Sequence, residues 1–200
     1  MSREPVPRIC IACSIFRKEI ERFLAQEELD IPVRFLGSML HMEPEQLEAK
    51  LLAAVEEEWA KGNEVVLVYG DCCPGMTTLE AAAGVARTQG FNCPEIVLGR
   101  ETYRRMRREG VFFLMPEWVG IWRRVFQGTL GLTGDTARDF MKDMHTRLVY
   151  LDTGLVPVPE KELEEIRDYT GLPLERMSVS LEPLLDGLRQ AALRIRHEQA

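Results

Sequence analysis

The sequence predicts an α/β fold: a mostly parallel sheet with helices on both faces, doubly wound in the Rossmann-like manner. Three observations carry this. Short apolar segments of strand length alternate along the chain with segments of helical periodicity, the order that builds a parallel sheet through crossover helices. Residues 64–70, EVVLVYG, form an almost unbroken apolar run, as in a strand covered on both faces. The 200 residues, 46% apolar and 28% charged, suffice for one domain with a real core.

Residues 8–12 (RICIA) read as the first strand, and 14–29 as a helix with Ser14 as its N-cap. The second strand is 31–36 (IPVRFL), followed by a loop, GSMLHMEP. An amphipathic helix at 45–60 sets Leu47, Leu51, Leu52, Val55 and Trp59 on one face. Gly62 ends it, and 64–70 is the third strand. An alanine-rich helix over 76–87 precedes a fourth strand at 94–98 (PEIVL), a basic helix at 100–108 and a fifth strand at 111–115 (VFFLM). Pro116 fits the first turn of the next helix, where Trp118, Ile121, Trp122 and Val125 recur at helical spacing and read as core. A helix near 134–144, a strand at 147–152, a helix at 160–170, a strand RMSVSL and a C-terminal helix complete the chain. One domain over 1–200 is expected, with 128–135 (GTLGLTGD) as the place where two lobes would join.

A net charge of −7 and a pI of 5.2 argue against a nucleic-acid partner. No run reaches the ~18 apolar residues of a membrane span, and MSREPVPR lacks the apolar core of a signal peptide. A cytoplasmic protein is expected, bound to neither membrane nor nucleic acid. The chain has no GxxxxGK[ST], GxGxxG or GxSxG, so the common nucleotide-binding and serine-hydrolase classes have no support. Residues 100–124 carry seven Arg against three Glu. That reads first as a solvated face and second as a docking patch for an anionic partner.

The chemistry rests on five cysteines, at 10, 13, 72, 73 and 93. An odd number in a reducing compartment is expected to stay unpaired. Open α/β sheets bind ligands outside the carboxyl ends of their strands. Cys13 lies at such an end, just before a helix whose N-terminus favours thiolate, and Cys72 and Cys73 follow the third strand. The pair in CIAC (10–13) is a weak redox motif: Cys10 lies inside the strand, and strand positions three apart face opposite sides. Cys10 reads as a small core residue. Cys93 precedes the strand expected at 94–98, and reaches the site if QGFNC lines its mouth. His41 follows the second strand, as a satisfied structural residue or as a ligand. Asp71 and Asp152 read as turn residues or as supporting carboxylates.

The segments IACSIFRKEI, LGSMLHMEPEQL, VVLVYGDC, NCPEIVLGRETY and FFLMPEW, in that order, resemble the uncharacterised family called domain of unknown function 1638, over roughly residues 8–150. That family shows I-A-C before a helix, a Leu–His pair in an early loop and Y-G-x-C after a strand. H-D-C then precedes another strand, and a glycine is followed by a tyrosine, here Gly99 and Tyr103. The resemblance implies a site of Cys13, His41, Cys72 and Cys93, with Cys10 and Cys73 as extras. Phe91 replaces the family histidine, and Cys73 stands where glycine is usual, as a candidate substitute ligand. The resemblance also implies an association with anaerobes and corrinoid-dependent methyl transfer, hence corrinoid or methyltransferase proteins as partners.

Position and resemblance together predict a metal- or iron–sulfur-binding protein with Cys13, Cys72 and Cys93 as thiolate ligands and Cys73 or His41 as the fourth. An iron–sulfur cluster comes first, on the anaerobe association, and zinc second. Two alternatives stand beside it: a metal-free two-thiol enzyme of racemase type, and a non-catalytic accessory protein docking to a methyl-transfer system.

Overall fold

A computed structural model describes residues 6–26, 28 and 30–197. The α/β class and the parallel pairing are as expected, but the strands divide between two sheets instead of one, of order β2-β1-β3-β4 and β5-β6-β7. The chain correspondingly forms two compact units, Met1–Ile96 with Glu182–Ala200, and Val97–Leu181. Residues 128–135 fall inside the second unit.

The first unit contains β1 (Arg8–Cys13), α1 (Arg17–Ala25), β2 (Val33–Leu36), α2 (Pro44–Ala60), β3 (Glu64–Val68), α3 (Met76–Glu80) and β4 (Val85–Arg87). Helix α4 (Cys93–Leu98) crosses its boundary, and the C-terminal helix α9 (Glu182–His197) packs on β3 and β4. All five residues of β3 are buried. Successive strand side chains point to opposite faces, so this strand is covered on both. In register, Cys10 sits between Val33 of β2 and Val66 of β3.

Several local expectations are corrected. Ser14 does not cap α1; it begins a 3-10 turn, Ser14–Phe16, and its Oγ accepts the Ser38 N–H at 2.9 Å. Helix α1 ends at Ala25, while positions 27 and 29 lie outside the described residues. On α2, Leu47, Leu51 and Val55 are buried as expected, but Leu52 and Trp59 are exposed, and Ala54 and Glu58 take their place.

The alanine-rich segment 76–87 is helical only to Glu80. Gly84 turns the chain at φ +73°, and Val85, Ala86 and Arg87 pair in parallel with Val65, Val66 and Leu67. Tertiary pairing overrides helix propensity there. The segment 94–98 is a helix, not a strand. Its β-branched residues are outweighed by a reciprocal N-terminal cap: Asn92 Oδ1 accepts the Glu95 N–H, and the Glu95 carboxylate accepts the Phe91 N–H, both at 3.0 Å.

The second unit runs through α5 (Arg100–Arg108), β5 (Val111–Leu114), α6 (Pro116–Val119), a π-helical turn (Arg124–Thr129), α7 (Gly134–Met144), β6 (Arg147–Asp152), α8 (Glu160–Thr170) and β7 (Leu174–Ser178). Trp122, Val125 and Phe126 are buried, and Trp122 packs 5.0 Å from the Tyr169 ring. Trp118 and Ile121 are only partly buried. Asp152, at the end of β6, accepts the Gly154 N–H at 2.9 Å and the Arg176 guanidinium at 2.7 and 3.0 Å. The Gly154 N–H, and then Arg176, hold its carboxyl below the ordinary range. It is a turn residue locked by an ion pair. Among the described residues, no helix is long and apolar enough to cross a membrane.

Arg104, Arg105, Arg107 and Arg108 are all exposed on α5. Exposed charges away from a core typically change stability by less than about 0.5 kcal/mol each. Replacing all four with Gln should leave the protein folded, with a urea midpoint close to that of the parent. A variant that does not fold would show that this helix face is buried or paired.

Candidate three-cysteine site

Parallel strands present their carboxyl ends at one edge, and the sheet order β2-β1-β3-β4 sets the chemistry along that edge. Cys13 is the last residue of β1. Cys72 follows β3 after Tyr69, Gly70 and Asp71. Cys93 follows β4 as the first residue of α4. The fourth strand being 85–87 instead of 94–98 moves Cys93 from the head of a strand to a position beyond the end of one, where ligand-binding groups of such sheets collect. His41 lies on the 3-10 turn Ser38–Met42, after β2.

Cys72 and Cys93 meet because two loops touch backbone to backbone. A Cβ on Gly70 would lie 2.5 Å from the Phe91 carbonyl oxygen and 2.6 Å from Asn92 Cα, so only glycine fits. The Asp71 N–H donates to the same Phe91 carbonyl at 2.8 Å. Beneath them Arg87, with 11% of its side chain exposed, binds Asp71 at 2.8 Å and Glu80 at 2.8 and 3.0 Å, and donates to the Tyr69 carbonyl at 3.2 Å. The Arg87 carbonyl in turn accepts the Arg194 guanidinium of α9. Asp71 is therefore a turn residue tied to β4 by an ion pair.

The thiols interact directly. A hydrogen bond between the Cys93 and Cys13 sulfurs is the largest cause that lifts the Cys93 pKa well above its ordinary value, followed by burial and by the charges of Cys13 and Cys72. Burial, then Cys13, pushes Cys72 up to about 11, opposed by a hydrogen bond from the Gly70 backbone and by Arg87. With no cation present, Cys72 and Cys93 are neutral near pH 7. All five cysteines are free thiols.

The remaining candidates differ from these three in their surroundings. Cys10 is fully buried, and desolvation pushes it up to about 12, as for an inert core residue. Cys73 is raised by burial and by Glu48, and lowered by hydrogen bonds from the Gly75 and Met76 backbones at the start of α3. Its sulfur is thus engaged by its own loop. His41 Nδ1 lies 2.5 Å from the Ser38 carbonyl. A carbonyl only accepts, so Nδ1 carries a proton in this contact. Among the described residues, no three Cys, His, Asp or Glu side chains are disposed to hold a metal ion as they stand.

Sequence reading passed over Gly70 and Arg87. Gly70 carried a signal, a glycine directly after a buried strand and before a cysteine. Arg87 carried none, since it sat in a segment read as helix.

Gly70→Ala should destabilise the protein by about 1–3 kcal/mol, the usual cost of forcing atoms into a packed site, here against backbone that cannot rotate away. Urea unfolding measures it. A neutral result would mean that the two loops are not pinned together.

No curated protein and no solved structure matches the chain. The family model described as Protein of unknown function (DUF1638) matches residues 35–188. The matched span takes in His41, Cys72, Arg87 and Cys93, and Cys13 lies ahead of it. This span is well over half of the 200 residues, and the chain belongs to that family.

Proposed function

We propose that the protein binds a soft metal centre through Cys13, Cys72 and Cys93, with His41 Nε2 or Cys73 as the candidate fourth donor. The observation that carries this is the direct Cys13–Cys93 sulfur contact, with Cys72 acting on both, at the carboxyl edge of three adjacent parallel strands. Three sulfurs fit a soft cation in kind. Two sulfurs about 2.3 Å from one tetrahedral metal stand about 3.8 Å apart, close to the contact of hydrogen-bonded thiols. The pair therefore suits one shared metal atom, a zinc or one iron of an iron–sulfur centre. Cys13, Cys72 and Cys93 would hold such a metal as thiolates.

A bound zinc supplies Lewis acidity and an iron–sulfur centre supplies electron transfer. The residues of the chain do the rest. Burial and crowding favour the protonated form of Cys72 and Cys93, and a metal held there would have to displace those protons. Arg87 offsets part of the thiolate charge from below, and the Ser38 carbonyl fixes the tautomer of His41. A metal-free two-thiol enzyme would need a substrate carbon between its sulfurs, and the Cys13–Cys93 hydrogen bond speaks against that for this one pair. A role in corrinoid-dependent methyl transfer rests on the family resemblance alone, and a place in the cytoplasm on the sequence reading of the chain.

Metal analysis of protein purified without oxygen and reconstituted is the direct test: about one zinc, or one or more irons, per chain is expected. Well under one of either ends this reading. Cys13→Ser, Cys72→Ser and Cys93→Ser should each lose most of the metal, because a serine hydroxyl is a poor donor to a soft ion near neutral pH. Cys10→Ala should keep it. Cys73→Ala should keep most of it while losing stability, since its sulfur is held by its own loop. Equal loss in the Cys10 variant, or none in the Cys93 variant, would place the site on other thiols.

Uptake should also release protons. Cys72 and Cys93 titrate above their ordinary value, so protons would compete with metal throughout the neutral range, and apparent affinity should rise with pH. A competition titration with a chelator at several pH values measures this, and an affinity that falls as pH rises would contradict thiolate ligation.

A further inference from the structure

Helix α5 carries five arginines and one glutamate in nine residues. Its two buried side chains, Tyr103 and Met106, fix how it lies. Tyr103 packs 5.5 Å from the Phe113 ring, while Phe112, one position earlier on β5, meets Phe126 and His145. Successive strand residues point to opposite faces, so α5 covers the sheet face opposite to the one that meets Phe126 and His145. Arg100, Arg104, Arg107 and Arg108 then share one side of the helix at helical spacing, all exposed, and Arg105 is exposed as well.

These charges oppose the helix that carries them. Arg100 and Arg104, and Arg104 and Arg108, are like charges four apart, and such pairs are destabilising. Arg100 also stands in the first turn, where the backbone dipole is already positive. Elsewhere the fold pairs its guanidiniums: Arg34, Arg123, Arg147 and Arg176 each meet a carboxylate at 2.6–2.7 Å. Among the described residues none of the five on α5 has an ion-pair partner, and Glu109, just beyond its end, is drawn off to Arg147.

We propose that this side of α5 is a docking surface for an acidic segment of another protein, whose Asp and Glu side chains supply the missing carboxylates. The helix exposes no aromatic or apolar side chain, so it offers nothing for an unpaired base to stack on and nothing to bury in a membrane interface. The unit that holds it has 13 Lys and Arg against 13 Asp and Glu, and the other unit 12 against 19. The positive field is therefore local and does not track a nucleic-acid backbone. A net charge of −7 makes one copy of the chain repel another. Arginines about 6 Å apart along the axis match carboxylates one helical turn apart, each held by a planar fork.

This reading is independent of the cysteine edge. Its probe is fluorescein-labelled decaglutamate, followed by anisotropy. The parent should bind it at low salt and lose about tenfold in affinity at physiological ionic strength. Changing Arg104, Arg105, Arg107 and Arg108 together to Gln should weaken binding about tenfold. Changing the exposed Lys18, Lys50, Lys142 and Lys161 to Gln removes the same charge elsewhere, and should alter affinity less than about twofold. If the fourfold arginine variant does not fold, Arg104→Gln and Arg108→Gln decide singly, each expected to bind about threefold more weakly, and unchanged affinity in both overturns the proposal. No binding by the parent, equal loss in the lysine variant, or tighter binding of decauridylate or phosphatidylserine vesicles than of decaglutamate would overturn it. So would salt-sensitive self-association of the parent that the arginine variant abolishes, which would assign this face to a second copy.

Discussion

With no side chain at Gly70, the loop after β3 lies directly on the loop after β4, and the geometry of the cysteine edge follows from that contact. The Asp71 N–H to Phe91 carbonyl hydrogen bond closes it, and the missing Cβ permits it. Arg87 holds it from beneath by binding Asp71 and the Tyr69 carbonyl on one side and Glu80 on the other. A nearly buried guanidinium with this many acceptors is rigid, because its planar fork satisfies several oxygens at once. Cys72 and Cys93 are neighbours because their backbones are, and Cys13 joins them from the end of β1.

Crowding thiols at a buried edge has an electrostatic cost. Desolvation and mutual repulsion both disfavour thiolate, which is why Cys72 and Cys93 move up. Arg87 and the loop N–H groups pull the other way without prevailing. A site of this kind is poorly suited to be a nucleophile at neutral pH. On the metal reading proposed above, a bound cation would remove that repulsion.

The second unit shows what a strand end looks like when its charges are satisfied. Asp152 ends β6 much as Cys13 ends β1, but its carboxylate accepts both a loop N–H and a guanidinium. Its pKa moves in the direction of stabilised charge. The Trp122, Phe126 and Tyr169 rings pack edge to face at 6.3 Å and tilted at 5.0 Å, which is core construction. The two strand ends thus differ in kind: one is complete in itself, and the other carries sulfurs whose strongest partners are each other.

The sequence alone determined the α/β class, most element positions after residue 99, and the placement of Cys13 and Cys72, because each depends on local periodicity and on strand ends that apolar runs mark. It also separated Cys10 from Cys13, since strand alternation is local physics. Three things required the tertiary structure. Val85–Arg87 became a strand although its segment favours helix, because three residues gain a partner in β3 that no local pattern records. PEIVL became a helix although β-branched residues favour strand, and here the Asn92-to-Glu95 cap was readable but was outweighed by composition. The third is the meeting of Cys93 with Cys13, which depends on a backbone contact at Gly70 between loops about twenty residues apart. A chain states its periodicities in every window, but the distance between two loops exists only once the strands beneath them have paired.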